Sequence, residues 1–205
     1  MFTWPALSFS GDNLKTEILS VARGIRLLPA NLTDALALTA LVGENAAQLA
    51  VYMPKVVQLG NLDITEQYLA SVMESNGSGE LLEWHIFSGQ ALCGAVRLNH
   101  IEADNRKASI GYYLGERHQG LGLATESVRA VLKFAYERLG MNRIELRCGS
   151  ENRASQRLAE RLGFSWEGLL RQAELIDGVF IDHFIYGLLR ADFEASAAAS
   201  KKHAA

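Results

Sequence analysis

The chain has 205 residues, of which 20 are Lys or Arg and 23 are Asp or Glu, so its formal net charge is −3. Hydrophobic residues make up 49% and charged residues 21%, a balance typical of one globular domain and far from that of a disordered chain. A near-neutral chain without a basic block argues against a nucleic-acid binder, and the sequence has no apolar run of the roughly 18 residues that a membrane span needs.

Two sequence features indicate the cellular compartment, namely the number of cysteines and the composition of the amino terminus. Cys93 and Cys148 are too few for a disulfide framework and lack metal-ligand spacing, so we interpret them as buried thiols and expect no metal. The amino terminus lacks a basic segment followed by an apolar one, which a secretion signal requires. We therefore expect a cytoplasmic protein with no nucleic-acid or membrane partner.

The first third of the chain predicts one strand and two helices. Residues 23–29 suit a strand, apolar residues return at helical spacing over 33–42, and a second helical stripe over 65–73 ends in the run Asn76-Gly77-Ser78-Gly79. Residues 1–20 show no firm period. We treat them as an N-terminal extension.

Downstream, the period of the apolar residues changes from 3.6 to 2. Residues 81–87 and 92–101 predict a hairpin, and 108–114 predict a third strand of an antiparallel meander. A long amphipathic helix over 123–139 follows and stops at Gly140, since glycine is favoured just beyond a helix end.

The last third alternates between strands and helices. A short strand over 144–148 precedes a helix from Asn152 to Leu162 that stops at Gly163, and strand patterns return over 164–166 and 180–189. From Ala195 onward, the Ala/Ser-rich sequence predicts a frayed tail.

Together these elements predict an α/β (α+β) fold, with a mixed, largely antiparallel central sheet of about seven strands flanked by helices. The predicted organisation is an N-terminal extension (1–20), one domain (21–190) and an Ala/Ser-rich tail (191–205). There are no internal repeats.

The most informative segment is a glycine-rich turn between the strand ending at Leu114 and the long helix. Its sequence is Gln119-Gly120-Leu121-Gly122-Leu123-Ala124-Thr125. Glycines let the backbone turn tightly, and the first N–H groups of a helix lack intrahelical acceptors at the positive end of its dipole. The turn therefore predicts a site for an anion such as a pyrophosphate.

Other interpretations of this turn remain open or are disfavoured. A dinucleotide fingerprint needs a third glycine where Thr125 stands, as well as a parallel βαβ unit, and the Gly-Lys-Ser/Thr ending of a P-loop is absent. Two glycines alone could also form a purely structural turn between strand and helix.

With its flanking elements, the segment from Gln119 to Ala124 resembles the Q/R-x-x-G-x-G/A motif of the Gcn5-related N-acetyltransferases. A second block is similar to the E-N-x-x-S … L-G-F stretch of the branch that acetylates ribosomal-protein N-termini, and consists of Glu151-Asn152-Arg153-Ala154-Ser155 and Leu162-Gly163-Phe164. A third block resembles the same branch and comprises Glu167-Gly168, the run from Leu170 to Glu174, Asp177-Gly178, Asp182 and Tyr186. The resemblance covers roughly residues 23–190.

The resemblance implies that acetyl-CoA lies in a V-shaped cleft between two splayed strands. The backbone of Tyr112, Tyr113 and Leu114 would bind the pantetheine arm, and Asn152 would contact it from the other side. The pyrophosphate would be held by the turn, namely by Gln119, Gly120, Leu121, Gly122, Leu123, Ala124 and Thr125. Three of these residues also have a structural interpretation. Tyr112 and Leu114 fit a core pattern, and Asn152 fits a helix N-cap.

Acetyl transfer to an amine requires a base, a donor for the tetrahedral oxyanion and a proton for the departing thiolate. The resemblance implies Glu174 as the base and Ser155 as the acid that also contacts the cofactor, with the backbone of Leu114 as the oxyanion donor. Alternatively, Ser155 only completes a helix cap and Glu174 is a surface carboxylate. His85 and His183 are interpreted as structural.

The prediction is an acetyl-CoA-dependent N-acetyltransferase that acts on a protein N-terminus, for example of a ribosomal protein, by direct attack in a ternary complex. Acceptor contacts are expected from the first third, including Tyr52, Met53 and Tyr68. Because residues 49–54 lack the tryptophan-rich form associated with the ribosomal branch, a small amine such as a polyamine, an aminoglycoside or an amino acid stays open. A non-catalytic CoA-binding module and a homodimer also stay open.

Overall fold

The computed structural model describes residues 17–21 and 24–202, and for 197–202 it describes the backbone alone. Most of the predicted N-terminal extension therefore lies outside the described residues. Its described end packs on the domain, since the Glu17 carbonyl accepts a hydrogen bond from Trp84 Nε1 at 3.0 Å and the Glu17 carboxylate pairs with Arg138 at 2.8 Å.

The described residues form eight strands and seven α-helices. In chain order these are β1 (Leu19–Ser20), β2 (Ile25–Pro29), α1 (Ala35–Glu44), α2 (Ala46–Ala50), α3 (Pro54–Val57), α4 (Leu62–Ser78), β3 (Leu82–Ser88), β4 (Ala91–Glu102), β5 (Lys107–Leu114), α5 (Leu123–Glu137), β6 (Arg143–Gly149), α6 (Arg153–Arg161), β7 (Ser165–Ile176), β8 (Val179–Leu189) and α7 (Arg190–Lys202). No helix among the described residues is long and apolar enough to cross a membrane.

All the strands belong to one sheet, in the order β1-β2-β3-β4-β5-β6-β8-β7. Every neighbouring pair is antiparallel except β5 and β6, which are parallel. The predicted mixed, largely antiparallel sheet is therefore confirmed. The additional strand is β1, which has two residues.

Helices cover both faces of the sheet, because successive strand residues point to opposite sides. Val96 packs with the α5 and α6 side, whereas its neighbour Ala95 packs with the α1 and α4 side. The helix stops predicted at Gly140 and Gly163 are present, with left-handed φ angles of 64° and 86°. Cys93 and Cys148 are free and buried, as predicted.

Two elements differ from the sequence-based expectation. β7 runs to Ile176, far beyond the predicted 164–166, because register shifts at 166–168 and 170–174 interrupt the alternation that a sequence pattern can detect. Residues 190–202 form α7 where a frayed tail was expected, and their many alanines have the highest helix propensity of all residues.

Candidate active site

Strands β5 and β6 run side by side only at their beginnings. Their register starts at Lys107–Arg143 and ends at Ile110–Leu146. Beyond that point, β5 stays paired with β4 to Leu114, and β6 stays paired with β8 to Gly149. The two strands therefore part in the middle of the sheet and form the predicted V-shaped cleft.

The pairing of β5 with β4 decides which main-chain groups face this opening. The N–H of Gly115 donates to the carbonyl of Cys93 at 2.9 Å, so these two residues form a hydrogen-bonded pair of the ladder. Because such pairs alternate along antiparallel strands, the N–H groups of Tyr112 and Leu114 point away from β4 and into the opening. Tyr113 directs its main chain to β4 instead, so its place in the site depends on its side chain.

The cleft has a volume of about 1280 Å³, which exceeds the roughly 300–1,000 Å³ of pockets for drug-sized ligands and suits a long ligand. It runs from the start of α5, through the opening between β5 and β6, to α2 and α3. All the residues predicted to bind the cofactor or act in catalysis line it: Tyr112, Tyr113, Leu114, Gln119, Gly120, Leu121, Gly122, Leu123, Ala124, Thr125, Asn152, Ser155 and Glu174.

The glycine-rich turn forms one end of the cleft. Gly120 and Gly122 have left-handed φ angles of 73° and 81°, which glycine adopts at low cost. Gly122 is the N-cap of the 15-residue helix α5, and no described side chain caps that helix, so the N–H groups of its first turn are available to a ligand. The Arg161 guanidinium, 3.2 Å from Thr125 Oγ1, adds positive charge. This end therefore suits a phosphate group.

A hydroxyl pair lies farther along the cleft. Asn152 Oδ1 accepts the main-chain N–H of Ser155 at 3.1 Å, so the predicted N-cap of α6 is present and uses the backbone of Ser155. The Ser155 hydroxyl lies 2.8 Å from the phenol oxygen of Tyr112. Burial raises the pKa of Tyr112 to about 12, so its phenol stays protonated at neutral pH. Sequence reasoning missed this side-chain contact, because it joins a strand and a helix that lie 43 residues apart.

An acid–imidazole pair also lines the cleft. His183 Nε2 is 3.1 Å from Glu174 Oε2, and their side chains are 18% and 33% exposed. Both residues line the cleft, so the interpretation of His183 as a structural residue missed this contact. The register shift between Leu170 and Glu174 hid it from the strand pattern. His85, by contrast, is buried and lies 2.6 Å from Asp34, consistent with a structural role.

The remaining end of the cleft is formed by α2, α3 and the neighbouring strands. Tyr52 and Met53 line it as expected, and the Tyr52 hydroxyl donates across the cleft to the carbonyl of Glu151 at 3.2 Å. Tyr68 does not line it. Because α4 packs onto the sheet, the Tyr68 hydroxyl instead donates to the buried carboxyl of Glu83 at 2.5 Å.

Opened strands, a free helix start, and hydroxyl and carboxyl groups in one cleft fit an acyltransferase site for a long ligand that carries phosphate at one end. The model of the acetyltransferase (GNAT) domain family matches residues 25–165, and the chain belongs to this family.

Known relatives agree with this assignment. The ribosomal-protein-serine acetyltransferase of Escherichia coli is 35% identical over 101 residues, which are 49% of this chain and 56% of that protein. The chain thus spans about half the length of the curated relatives it matches.

Two solved structures share the fold. RimL, a ribosomal α-N-protein acetyltransferase in complex with CoA, has a TM-score of 0.81 and 28% identity, over 84% of this chain and 98% of that one. The microcin self-immunity acetyltransferase MccE, in complex with acetyl-CoA and AMP, has a TM-score of 0.77 and 30% identity, over 81% of this chain and 92% of that one. The predicted family and fold are confirmed, and both neighbours hold the predicted cofactor or its CoA moiety.

Proposed function

We propose that this protein transfers an acetyl group from acetyl-CoA to a primary amine, the α-amino group of a protein N-terminus, by direct attack in a ternary complex. One observation carries the proposal: a single cleft contains the uncapped start of α5, the open edge of β5, and the side chains of Ser155 and Glu174. The likeness to RimL and to the ribosomal-protein-serine acetyltransferase supports a ribosomal protein as the acceptor.

Acetyl-CoA would lie along the cleft in one direction. Its pyrophosphate would accept hydrogen bonds from the N–H groups of the turn over 119–125, and the amides of its pantetheine arm would pair with the main chain of Tyr112 and Leu114. Asn152 uses Oδ1 for the helix cap, which leaves its Nδ2 free to donate to the arm from the other side.

The side chains at the thioester can supply the proton transfers. Glu174 takes a proton from the acceptor ammonium, and the resulting amine attacks the thioester carbonyl. An α-amino group with a pKa of about 7.7–8.0 needs little help to deprotonate. The N–H of Leu114 donates to the oxyanion. As the carbon–sulfur bond breaks, Ser155 gives its proton to the thiolate. The nitrogen of the new amide loses its second proton, which restores the Ser155 hydroxyl, while the Tyr112 hydroxyl holds Ser155 in place at 2.8 Å.

His183 supports the base in this scheme. By holding Oε2 of Glu174, it leaves Oε1 to accept the proton. The pairs Ser155–Tyr112 and Glu174–His183 offer a proton donor and a base in one cleft, which a module that only binds CoA does not require, so they favour turnover. The likeness to MccE keeps a small-molecule amine as the second candidate acceptor.

The test measures free-thiol release from acetyl-CoA with N-terminal peptides, polyamines and aminoglycosides, for the wild type and for Glu174→Gln. We expect release with peptides, a kcat lowered by about a hundredfold in Glu174→Gln, and an unchanged affinity for acetyl-CoA. Glu160→Gln, which changes an exposed carboxylate on α6 outside the cleft, is the control.

Release with small amines alone would overturn the protein acceptor. Tight binding of acetyl-CoA without release to any acceptor would leave a binding module. The cytoplasmic location and the homodimer stay predictions.

A further inference from the structure

The acceptor end of the cleft contains a positive charge that forms no ion pair with any described residue. Arg97, on β4, is half-buried and lines the cleft. Among the described residues, no carboxylate lies within ion-pair distance of its guanidinium. The guanidinium interacts with the Tyr68 hydroxyl and with Glu83, but its five N–H donors allow it to bind a ligand in the cleft as well.

The sheet register places Arg97 beside the opening. It stands opposite Gly111, the first residue of β5 beyond the last pair that β5 forms with β6. A Cβ atom on Gly111 would lie 3.8 Å from Arg97 Nε, so the arginine side chain lies over the strand where glycine leaves room. Its guanidinium therefore lies beside the opened stretch of β5, three residues before Leu114.

The nearest buried acid does not neutralise this charge. Glu83 faces Arg97 from β3 and is 1% exposed. Its Oε2 already accepts the hydroxyl of Tyr68, and burial raises the pKa of this carboxyl, which favours its protonated form. The positive charge of Arg97 opposes this rise in the pKa of Glu83 but does not outweigh burial, so Arg97, which lines the cleft, is not neutralised by a charged partner.

The cleft as a whole is rich in cations. Its lining contains Lys55, Arg97, Arg147, Arg157 and Arg161, whereas Glu174 supplies the single carboxylate found there within the described part of the chain. Arg147 is paired with Glu145 at 3.1 Å, and the arginines of α6 lie at the end suited to phosphate. An acceptor with several positive charges would be repelled at the acceptor end, whereas an acceptor with an oxygen near its amine would be attracted.

Building on the proposed function, we infer that Arg97 is a specificity-determining residue that binds the oxygen on the carbonyl carbon attached to the α-carbon of the acceptor. That oxygen belongs to a peptide carbonyl or to a carboxylate. The substrate class is therefore an α-amino compound. Polyamines, which offer no such oxygen and carry extra positive charge, are excluded.

The test compares acceptors that differ at that one carbon. Free-thiol release is measured with an alanyl peptide, L-alaninamide, L-alanine, 2-aminobutane and 1,4-diaminobutane, for the wild type, Arg97→Gln and Arg97→Lys. The free energy of a hydrogen bond to a charged group corresponds to a factor of about ten to a hundred in kcat/KM. We therefore expect the kcat/KM of the wild type to be higher for an oxygen-bearing acceptor by about that factor.

Arg97→Gln should lower kcat/KM for the oxygen-bearing acceptors by about tenfold or more, and should change that for 2-aminobutane by less than about twofold. Arg97→Lys keeps the charge without the planar guanidinium. Its kcat/KM for the oxygen-bearing acceptors should lie between those of the wild type and Arg97→Gln. An unchanged KM for acetyl-CoA shows that the variants are folded. Arg129→Gln, on the exposed face of α5, is the matched control and should behave as the wild type.

The outcomes separate this inference from the proposed function. An equal loss for all acceptors in Arg97→Gln, no loss for any, or a wild type that prefers the diamine would overturn the role of Arg97. Absence of thiol release with every amine would overturn the proposed function itself. A faster reaction with alanine would identify a free amino acid as the acceptor. A faster reaction with alaninamide and the peptide would identify a peptide N-terminus as the acceptor. Both results support the role of Arg97.

Discussion

At the scale of single residues, Ser155 combines two roles that use different atoms. Its main-chain N–H caps α6 through Asn152, and its hydroxyl meets Tyr112 in the cleft. The sequence left the cap and the catalytic interpretations as alternatives. Because the cap needs only the backbone, the structure makes them compatible and separable by mutation.

Ser155→Ala should therefore retain the helix cap and lose the proton donor. We expect kcat to fall by about a hundredfold, at the low end of general acid catalysis, with little change in the free energy of unfolding. Asn152→Ala, which removes the cap itself, should cost about 1 kcal/mol. Steady-state kinetics and urea denaturation measure the two effects. A normal kcat in Ser155→Ala would remove the acid role.

The pair Glu174–His183 allows a test by conservative replacement. His183→Leu removes the donor to Glu174 Oε2 and should lower kcat by about tenfold while the KM for acetyl-CoA stays unchanged. His183→Gln can place an N–H near the position of Nε2 and should recover most of the rate. Equal losses in both variants would show that the imidazole acts in another way.

At the scale of elements, helix α5 starts and ends at glycines with similar backbones but different surroundings. Gly120 precedes its start in the cleft with φ 73°, Gly140 follows its end with φ 64°, and a Cβ on either would meet no atom within 4 Å. Strain from alanine should therefore be similar at both sites, and only the first site faces the ligand.

Accordingly, Gly120→Ala and Gly140→Ala should each lose about 1–2 kcal/mol of unfolding free energy, the cost of a left-handed alanine. Only Gly120→Ala should also raise the KM for acetyl-CoA, because the turn must hold its N–H groups in place. Denaturation curves and initial rates provide the comparison. A similar rise in KM for Gly140→Ala would show that the effect comes from general loss of stability.

Elements with a clear period were predictable, and contacts between distant elements were not. The stripe of α5, the alternation of β5 and the caps at Asn152 and Gly140 all depend on neighbours in sequence. β7 was truncated because its bulges break the alternation. The contacts Tyr112–Ser155 and Glu174–His183 depend on the tertiary arrangement. The resemblance supplied the remaining site residues, but it gave no partner for His183.

At the scale of the whole molecule, two carboxyl groups act on stability with opposite signs. Hydrogen bonds from Arg143 lower the pKa of Glu167. The stabilisation of the fold by Glu167 is therefore present at neutral pH and is lost as the pH falls through its folded-state pKa. Burial raises the pKa of Glu83, so its folded form binds a proton that the unfolded form has released. Glu83 therefore reduces stability as the pH rises above the unfolded value.

Glu83→Gln should remove this second effect, since the amide oxygen can still accept the Tyr68 hydroxyl. Relative to the wild type, the variant should gain unfolding free energy as the pH rises above about 4.3, the usual glutamate value. Urea denaturation between pH 4 and 8 measures this, with the exposed Glu74→Gln on α4 as control. A difference between Glu83→Gln and wild type that does not change with pH would contradict the assignment.

The parting of β5 and β6 has a mechanical consequence. Seven register pairs join β4 to β5 and seven join β6 to β8, but only four join β5 to β6. The cleft is thus a seam between an amino-terminal and a carboxy-terminal half of the sheet. A pantetheine arm paired to both sides would bridge that seam, so acetyl-CoA would serve as an additional strand that makes the two halves unfold as one cooperative unit.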